Sequence, residues 1–118
     1  MASSREHKNT KNRIRLALGR RQDVVMWNNE SGVASYGNHT VRYGVGKGGA
    51  DLIGILETGQ FIALEVKTGG ARCTKHQRMF LALVKKFGGW SAVVRSVDDA
   101  NREIDLALRE SREVPKGD

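Results

Sequence analysis

A mixed α/β domain with a hairpin at its centre is the fold this sequence predicts, and three features predict it. Residues 51–56 (DLIGIL) and 60–67 (QFIALEVK) are rich in Ile, Leu, Val and Phe, with the turn residues Glu57-Thr58-Gly59 between them, the pattern of two strands joined by a tight connection. After them Phe80, Leu83, Val84 and Phe87 recur at the spacing of one helix face, and Gly88-Gly89 supply the stop. Residues 90–94 (WSAVV) then read as a further strand ahead of a second helical pattern. Strands alternating with helices in this way bury a central mixed sheet under flanking helices.

Taken in order, residues 8–20 have the propensities of a helix, with basic side chains around Ile14, Leu16, Ala17 and Leu18. Its apolar stripe is thin, so its packing partner is expected outside this chain. Residues 23–27 (DVVMW) read as a short strand, and Asn28-Asn29 supply turn chemistry. Residues 31–39 give no clear pattern, and residues 40–43 read as another strand. Gly44, Gly46, Gly48 and Gly49, with Lys47 among them, form a loop whose backbone has room to approach a ligand. No GK[ST] follows, and the ordered GxGxxG of a dinucleotide site is missing, so no nucleotide cofactor is expected. The helix after the hairpin runs from Thr74 to about Phe87 and should cover the sheet. Ser96 and Asp99 have capping-box spacing for a final helix carrying Ile104, Leu106, Ala107 and Leu108, and Pro115 marks the tail.

The chain of 118 residues has the size of one domain, spanning 1–118, with polar ends at about 1–10 and 112–118. Twenty Lys and Arg against thirteen Asp and Glu leave a net charge of +7, which favours a polyanionic partner, nucleic acid first. No apolar run approaches the roughly 18 residues of a membrane span, and the N-terminus lacks the apolar core of a signal peptide. A soluble, intracellular protein with no membrane partner is expected. The lone Cys73 excludes an intrachain disulfide framework and the paired thiolates of a common zinc finger. His7, His39 and His76 are scattered and form no ligand cluster, so each reads as a surface or DNA-facing side chain.

Glu65 and Lys67, two apart on a strand, share one face, while Leu64 and Val66 point to the other. If Glu57-Thr58-Gly59 is a three-residue loop with Gly59 left-handed, Leu56 pairs with Gln60 and Asp51 falls opposite Glu65. Residues so opposed have Cβ atoms about 4.5–5.5 Å apart, close enough for both carboxylates to bind one hard cation. Two like charges need a positive group between them: a divalent cation such as Mg²⁺ or Mn²⁺, Lys67, or both. A cation there binds a phosphate oxygen and activates water, and the lysine orients that water or offsets developing charge, which is the chemistry of phosphodiester hydrolysis. The plainer reading is a salt bridge between Lys67 and one carboxylate at a strand end.

The segments GKGGADLIGIL, GQFIALEVKTGGARCTKHQ and GGWSAVVRSVDDA, spanning about residues 40–100, closely resemble the virus-type replication-repair nuclease (VRR-NUC) domain of the PD-(D/E)xK nuclease superfamily. Asp51 with Glu65-Val66-Lys67 matches the superfamily signature in order. Ala50 stands where the signature has proline, a backbone restraint and not a ligand. The resemblance implies a restriction-endonuclease-like core, metal ligation by Asp51, Glu65 and the Val66 carbonyl, and a catalytic role for Lys67. Gln77 matches a glutamine often found on the helix after the signature, although Thr74 to Gln77 is also a complete capping box. Some members carry a glutamate on the first helix, for which Glu6 is the nearest candidate.

Arg42, Lys47, Arg72, Lys75 and Arg78 flank the carboxylates in sequence and are expected to form a phosphate-binding rim, against the plainer reading of solvated charge. Stand-alone phage and bacterial members of the family resemble junction-resolving enzymes that work as homodimers on four-way DNA. The resemblance therefore implies a Mg²⁺- or Mn²⁺-dependent Holliday junction resolvase in a bacterial or phage-infected cytoplasm. A flap or duplex nuclease, a DNA-binding module without catalysis, and a protein-interaction domain stay open at this point. Two sites in a fixed relationship require dimerisation, for which the thin stripe on the first helix is the candidate contact.

Overall fold

The computed structural model describes residues 4–30, 32–43 and 48–113. Within them α1 (Ser4–Gly19) is followed by β1 (Val24–Asn28), the β2 (Gly32–Tyr36) and β3 (His39–Tyr43) pair, and β4 (Leu52–Leu56). Then come β5 (Phe61–Val66), α2 (Lys75–Lys86), β6 (Trp90–Val94) and α3 (Val97–Glu113). Lys47, Gly44, Gly46 and Pro115 lie outside the described residues.

Four strands form one sheet in the order β1-β4-β5-β6. β1, β4 and β5 are antiparallel neighbours, and β6 joins β5 in parallel after the α2 crossover. The β4–β5 turn has the expected form. Gly59 takes φ 89°, its N–H donates to Leu56 O at 2.8 Å, and Leu56 N–H donates to Gln60 O at 2.9 Å. Leu52 therefore faces Leu64, and Gly54 faces Ile62.

That register divides the sheet into two chemically different faces. Val24, Leu52, Leu56, Ile62, Leu64, Val66 and Val94 point one way, into a core closed by Ile14 and Leu18 of α1 and by Ala100, Ile104, Ala107 and Leu108 of α3. The other face carries Ala63, packed with Ala50 and Val84 and flanked by Ile53 and Phe80. Strand alternation thus places α1 and α3 on one side and α2 on the other.

Two expectations about helix packing need correction. The stripe of α1 finds its partner inside this chain, because α1 packs against β1 and α3 and Ile14 and Leu18 are fully buried. A narrow stripe suffices there, since α3 presents the small side chains Ala100 and Ala107 among its core residues. α2 covers the sheet with only part of its apolar face. Phe80 and Val84 pack inward, whereas Leu83 and Phe87 stay exposed, because α2 lies chiefly over β5 and β6 and leaves Val25 of β1 and Ile55 of β4 exposed.

α1 also starts at Ser4, four residues before the expected boundary. Its opening residues are all polar and carry no apolar period, while Glu6 in the first turn complements the helix dipole. β2 was not legible in the sequence. It pairs with β3 through a two-residue turn in which Gly37 takes φ 61°. At the start of α3, Asp99 N–H donates to Ser96 Oγ at 3.0 Å, as the spacing predicts, but the Asp99 carboxylate reaches back to Arg95 N–H at 3.0 Å.

Arg21, between α1 and β1, ties that corner to α3. Its guanidinium binds both oxygens of Asp23 at 2.9 and 3.0 Å, Asp105 at 2.6 Å and Asn101 Oδ1 at 3.1 Å. Gly54 in β4 marks a second tight point, since a Cβ there would run into the Val25 carbonyl oxygen and approach Met26 Sδ within 2.6 Å. Gly54→Ala is expected to destabilise the fold by about 1–3 kcal/mol, measured as a shift in the urea midpoint with an unchanged m-value.

Candidate active site at the end of β5

Glu65 is the next-to-last residue of β5, and its side chain emerges on the α2 side of the sheet beside Val93 of β6. The pairing of Leu52 with Leu64 brings Asp51, one residue before β4, opposite Glu65. Asp51 Oδ2 accepts the Val66 N–H at 2.8 Å. Asn29 fixes the same segment from just after β1: its N–H donates to Asp51 O and its side-chain amide to Ala50 O, both at 2.9 Å. Ala50 is fully buried, so packing and these two bonds restrain the backbone at the position where the superfamily signature has proline.

Glu65 is only 2% exposed. Its Oε2 is buried without a hydrogen-bond partner, and Oε1 lies 3.4 Å from Gln77 Nε2 and 3.9 Å from Lys67 Nζ. Burial and then the adjacent Asp51 carboxylate push its pKa up to about 9, with Lys67 pulling the other way. A carboxyl group in this setting keeps its proton at neutral pH unless positive charge is added.

Lys67 Nζ donates to Gln77 Oε1 at 2.8 Å, and its side chain is 13% exposed. Gln77 is held by the start of α2. Its Oε1 also accepts Thr74 N–H at 2.8 Å, and its own N–H donates to Thr74 Oγ1 at 3.2 Å. The capping box is complete, and the same amide links Lys67 and Glu65.

The structure brings Asp51, Glu65, Lys67 and Gln77 together at one strand end. It adds His7, which the sequence reads only as a surface or DNA-facing side chain. His7 Nε2 lies 3.0 Å from Val66 O and 3.4 Å from Asp51 Oδ2. The signal was available once α1 is extended, since His7, Ile14 and Leu18 are separated by seven and four residues and so share a helix face. Glu6, the candidate from the first helix, is exposed. Asn29 was read only as turn chemistry, and nothing local shows that it reaches Ala50 and Asp51.

Of the expected phosphate-binding rim, Arg72, Lys75 and Arg78 are exposed around the loop and first turn that follow β5. Arg78 also donates to Cys73 O at 2.8 Å. Arg95, not singled out in the sequence, secures the same loop through Gly69 O at 3.2 Å and Ala71 O at 2.8 Å. Gly48, at φ 82°, packs on the His76 backbone of α2, where a Cβ would come within 2.6 Å of the His76 carbonyl carbon. Arg42 lies in β3 opposite Val33, with its side chain outside the description, and Lys47 lies outside the described residues.

Among the described residues, no group of three or more His, Cys, Asp and Glu side chains is arranged to hold a metal ion. The donors at this strand end are carboxylates, a backbone carbonyl and an imidazole. No described helix is long and apolar enough to cross a membrane. No curated protein matches the chain. A family model of the VRR-NUC domain matches residues 34–98, more than half of the chain and the whole of the β4–β5 hairpin, α2 and β6. With that match and the signature residues collected at one strand end, the chain belongs to the VRR-NUC family of nucleases.

Proposed function

We propose that this protein is a Mg²⁺- or Mn²⁺-dependent, structure-selective DNA endonuclease that acts as a homodimer on four-way junctions. The observation that carries the catalytic part is the buried Glu65 carboxylate, with one oxygen unpartnered and Asp51 beside it. Such a pair is costly unless a cation occupies the space between the oxygens. The residues present fit a hard divalent ion, with Asp51, Glu65 and the Val66 carbonyl as its ligands.

When bound, the ion supplies Lewis acidity toward a phosphate oxygen and lowers the pKa of a water. The chain's own groups do the positioning. Gln77 Oε1 holds the Lys67 ammonium on the Glu65 side of the site, where it orients the attacking water and offsets charge as the phosphorus–oxygen ester bond breaks. Asn29 and the Val66 N–H keep the Asp51 segment in place, so the carboxylate is set before substrate arrives. Arg72, Lys75 and Arg78 are the candidate phosphate contacts beside it, and Arg42 and Lys47 remain candidates by sequence.

Symmetric cutting of a junction needs two such sites at a fixed separation. Ile14 and Leu18 of the α1 stripe are buried in the core, so that face of the helix is not free to make the dimer contact. The open part of the sheet offers one: Val25 pairs across to Ile55 and Ile55 to Phe61, and Phe61 continues into Leu83 and Phe87 of α2. All five are exposed, Phe87 by 78%. A second copy seated there removes this surface from water. Light scattering at micromolar concentration should give the mass of two chains, reduced to one by Phe87→Glu; a monomeric parent protein counts against the dimer.

Glu65 sets a pH dependence. Its folded pKa of about 9 stands above the ordinary 4.5, so the metal-free fold loses stability as pH rises across that interval, because the unfolded carboxyl ionises first. Glu65→Gln is expected to flatten that slope in thermal melts. Metal binding must expel the proton, so affinity for Mn²⁺ should tighten from neutral pH toward pH 9, by at most about tenfold per unit.

The activity test compares labelled four-way junction, flap and linear duplex DNA with Mg²⁺, Mn²⁺ or EDTA. Paired symmetric nicks in the junction are expected, abolished by EDTA and reduced at least about 100-fold in Asp51→Ala and Lys67→Ala. Cleavage confined to flap or duplex DNA replaces the substrate and keeps the site. Binding without cleavage by folded protein in either metal overturns the catalytic reading in favour of a DNA-binding module.

A further inference from the structure

We propose that His7 is a ligand of the metal ion, giving the site a nitrogen donor and a preference for Mn²⁺ over Mg²⁺. The inference rests on the metal-dependent reading above and adds to it a residue from α1. His7 Nε2 is 3.0 Å from Val66 O and 3.4 Å from Asp51 Oδ2. Neighbouring ligands of one six-coordinate ion, at bond lengths of about 2.1–2.2 Å, are separated by about 3 Å. Nε2 already stands at nearly that spacing from each of the two oxygens, and the three atoms belong to three different segments of the chain.

The imidazole does not arrive there by chance of a mobile side chain. Ile14 and Leu18, on the same face of α1, are fully buried against the sheet and α3, which fixes the helix along its length. His7 is the residue of that face that passes the end of β5, and its side chain is 35% exposed. It is thus anchored from behind and open toward solvent. A carbonyl oxygen only accepts, so Nε2 carries the proton when it bonds Val66 O. Coordination uses the other tautomer, with the proton on Nδ1 and the Nε2 lone pair directed at the ion.

The donor set determines which ion is favoured. Two carboxylates and a carbonyl alone suit Mg²⁺ and Mn²⁺ alike, whereas an imidazole favours the transition ion, since Mg²⁺ takes oxygen donors and holds its waters. The proposal also separates His7 from its neighbour Glu6, which is exposed on the same helix.

Pulsed electron paramagnetic resonance of Mn²⁺ bound to the full chain tests this directly. The expected spectrum carries coupling to one ¹⁴N nucleus, lost in His7→Ala and in His7→Glu, which replaces imidazole by an all-oxygen set. The Mn²⁺ dissociation constant should rise about 10-fold or more in His7→Ala, with a smaller change for Mg²⁺, read by displacement of Mn²⁺. Circular dichroism confirms that each variant is folded, and the unsubstituted protein answers the question even if one variant is not. Mn²⁺ bound with no ¹⁴N coupling, or with coupling that persists in His7→Ala, overturns the role of His7 and leaves the nuclease reading standing. Failure of the folded parent protein to bind Mn²⁺ at all overturns both.

Discussion

The register between β4 and β5 is the constraint on which the rest of the molecule depends. A three-residue connection with Gly59 at φ 89° sets Leu56 against Gln60, and every later pair follows from it. Because side chains alternate across a sheet, a slip of one residue would turn Leu52 and Leu64 toward α2 and carry Asp51 away from Glu65. One small turn therefore decides both which side chains build the core and whether two carboxylates meet. Left-handed backbone at Gly59 costs little because glycine has no Cβ to collide with the preceding carbonyl.

Around that hairpin the fold is asymmetric. One face is sealed by α1 and α3 with fully buried aliphatic side chains. The other is covered over β5 and β6 by α2 and left open at Val25 and Trp27 of β1 and Ile55 of β4. The asymmetry has a chemical consequence. The sealed face supplies rigidity, through Ile14, Leu18 and the Arg21 ion pairs to Asp23 and Asp105. The α2 face carries the polar chemistry at one strand end and an apolar surface beyond it. Segments from both faces converge where β5 ends: His7 from α1, Asn29 after β1, Asp51 before β4, Gln77 from α2.

The electrostatics of that convergence are unbalanced. Among the described residues Lys67 is the cation paired with Glu65, yet it is closer to Gln77 Oε1 than to the carboxylate, at 2.8 against 3.9 Å. The two still form an ion pair, as the plainer reading of these residues expects, while Oε2 is buried with no hydrogen-bond partner. A buried carboxyl group raised to about 9 by desolvation and a second acid is a poor device for stability. Gln77 makes the arrangement rigid, since the capping box that starts α2 also fixes its amide.

The sequence alone determined the elements whose information is local. The hairpin and its turn, the parity of Glu65 and Lys67, the limits of α2 at Thr74 and the glycine pair, and the family signature were all legible, because each depends on residues close together in the chain. Helix α1 was legible only where apolar residues mark it, and β2 not at all, since five residues of mixed character become a strand only by pairing with β3. Tertiary structure decided what local pattern does not encode. It placed His7, 59 residues from Val66 in sequence, at hydrogen-bonding distance from its carbonyl. It likewise sent Asn29 to Ala50 and left half of the α2 stripe uncovered. The physical reason is the same in each case: which atoms meet across a fold is set by how rigid elements dock, and docking is governed by the shapes of faces drawn from distant parts of the chain.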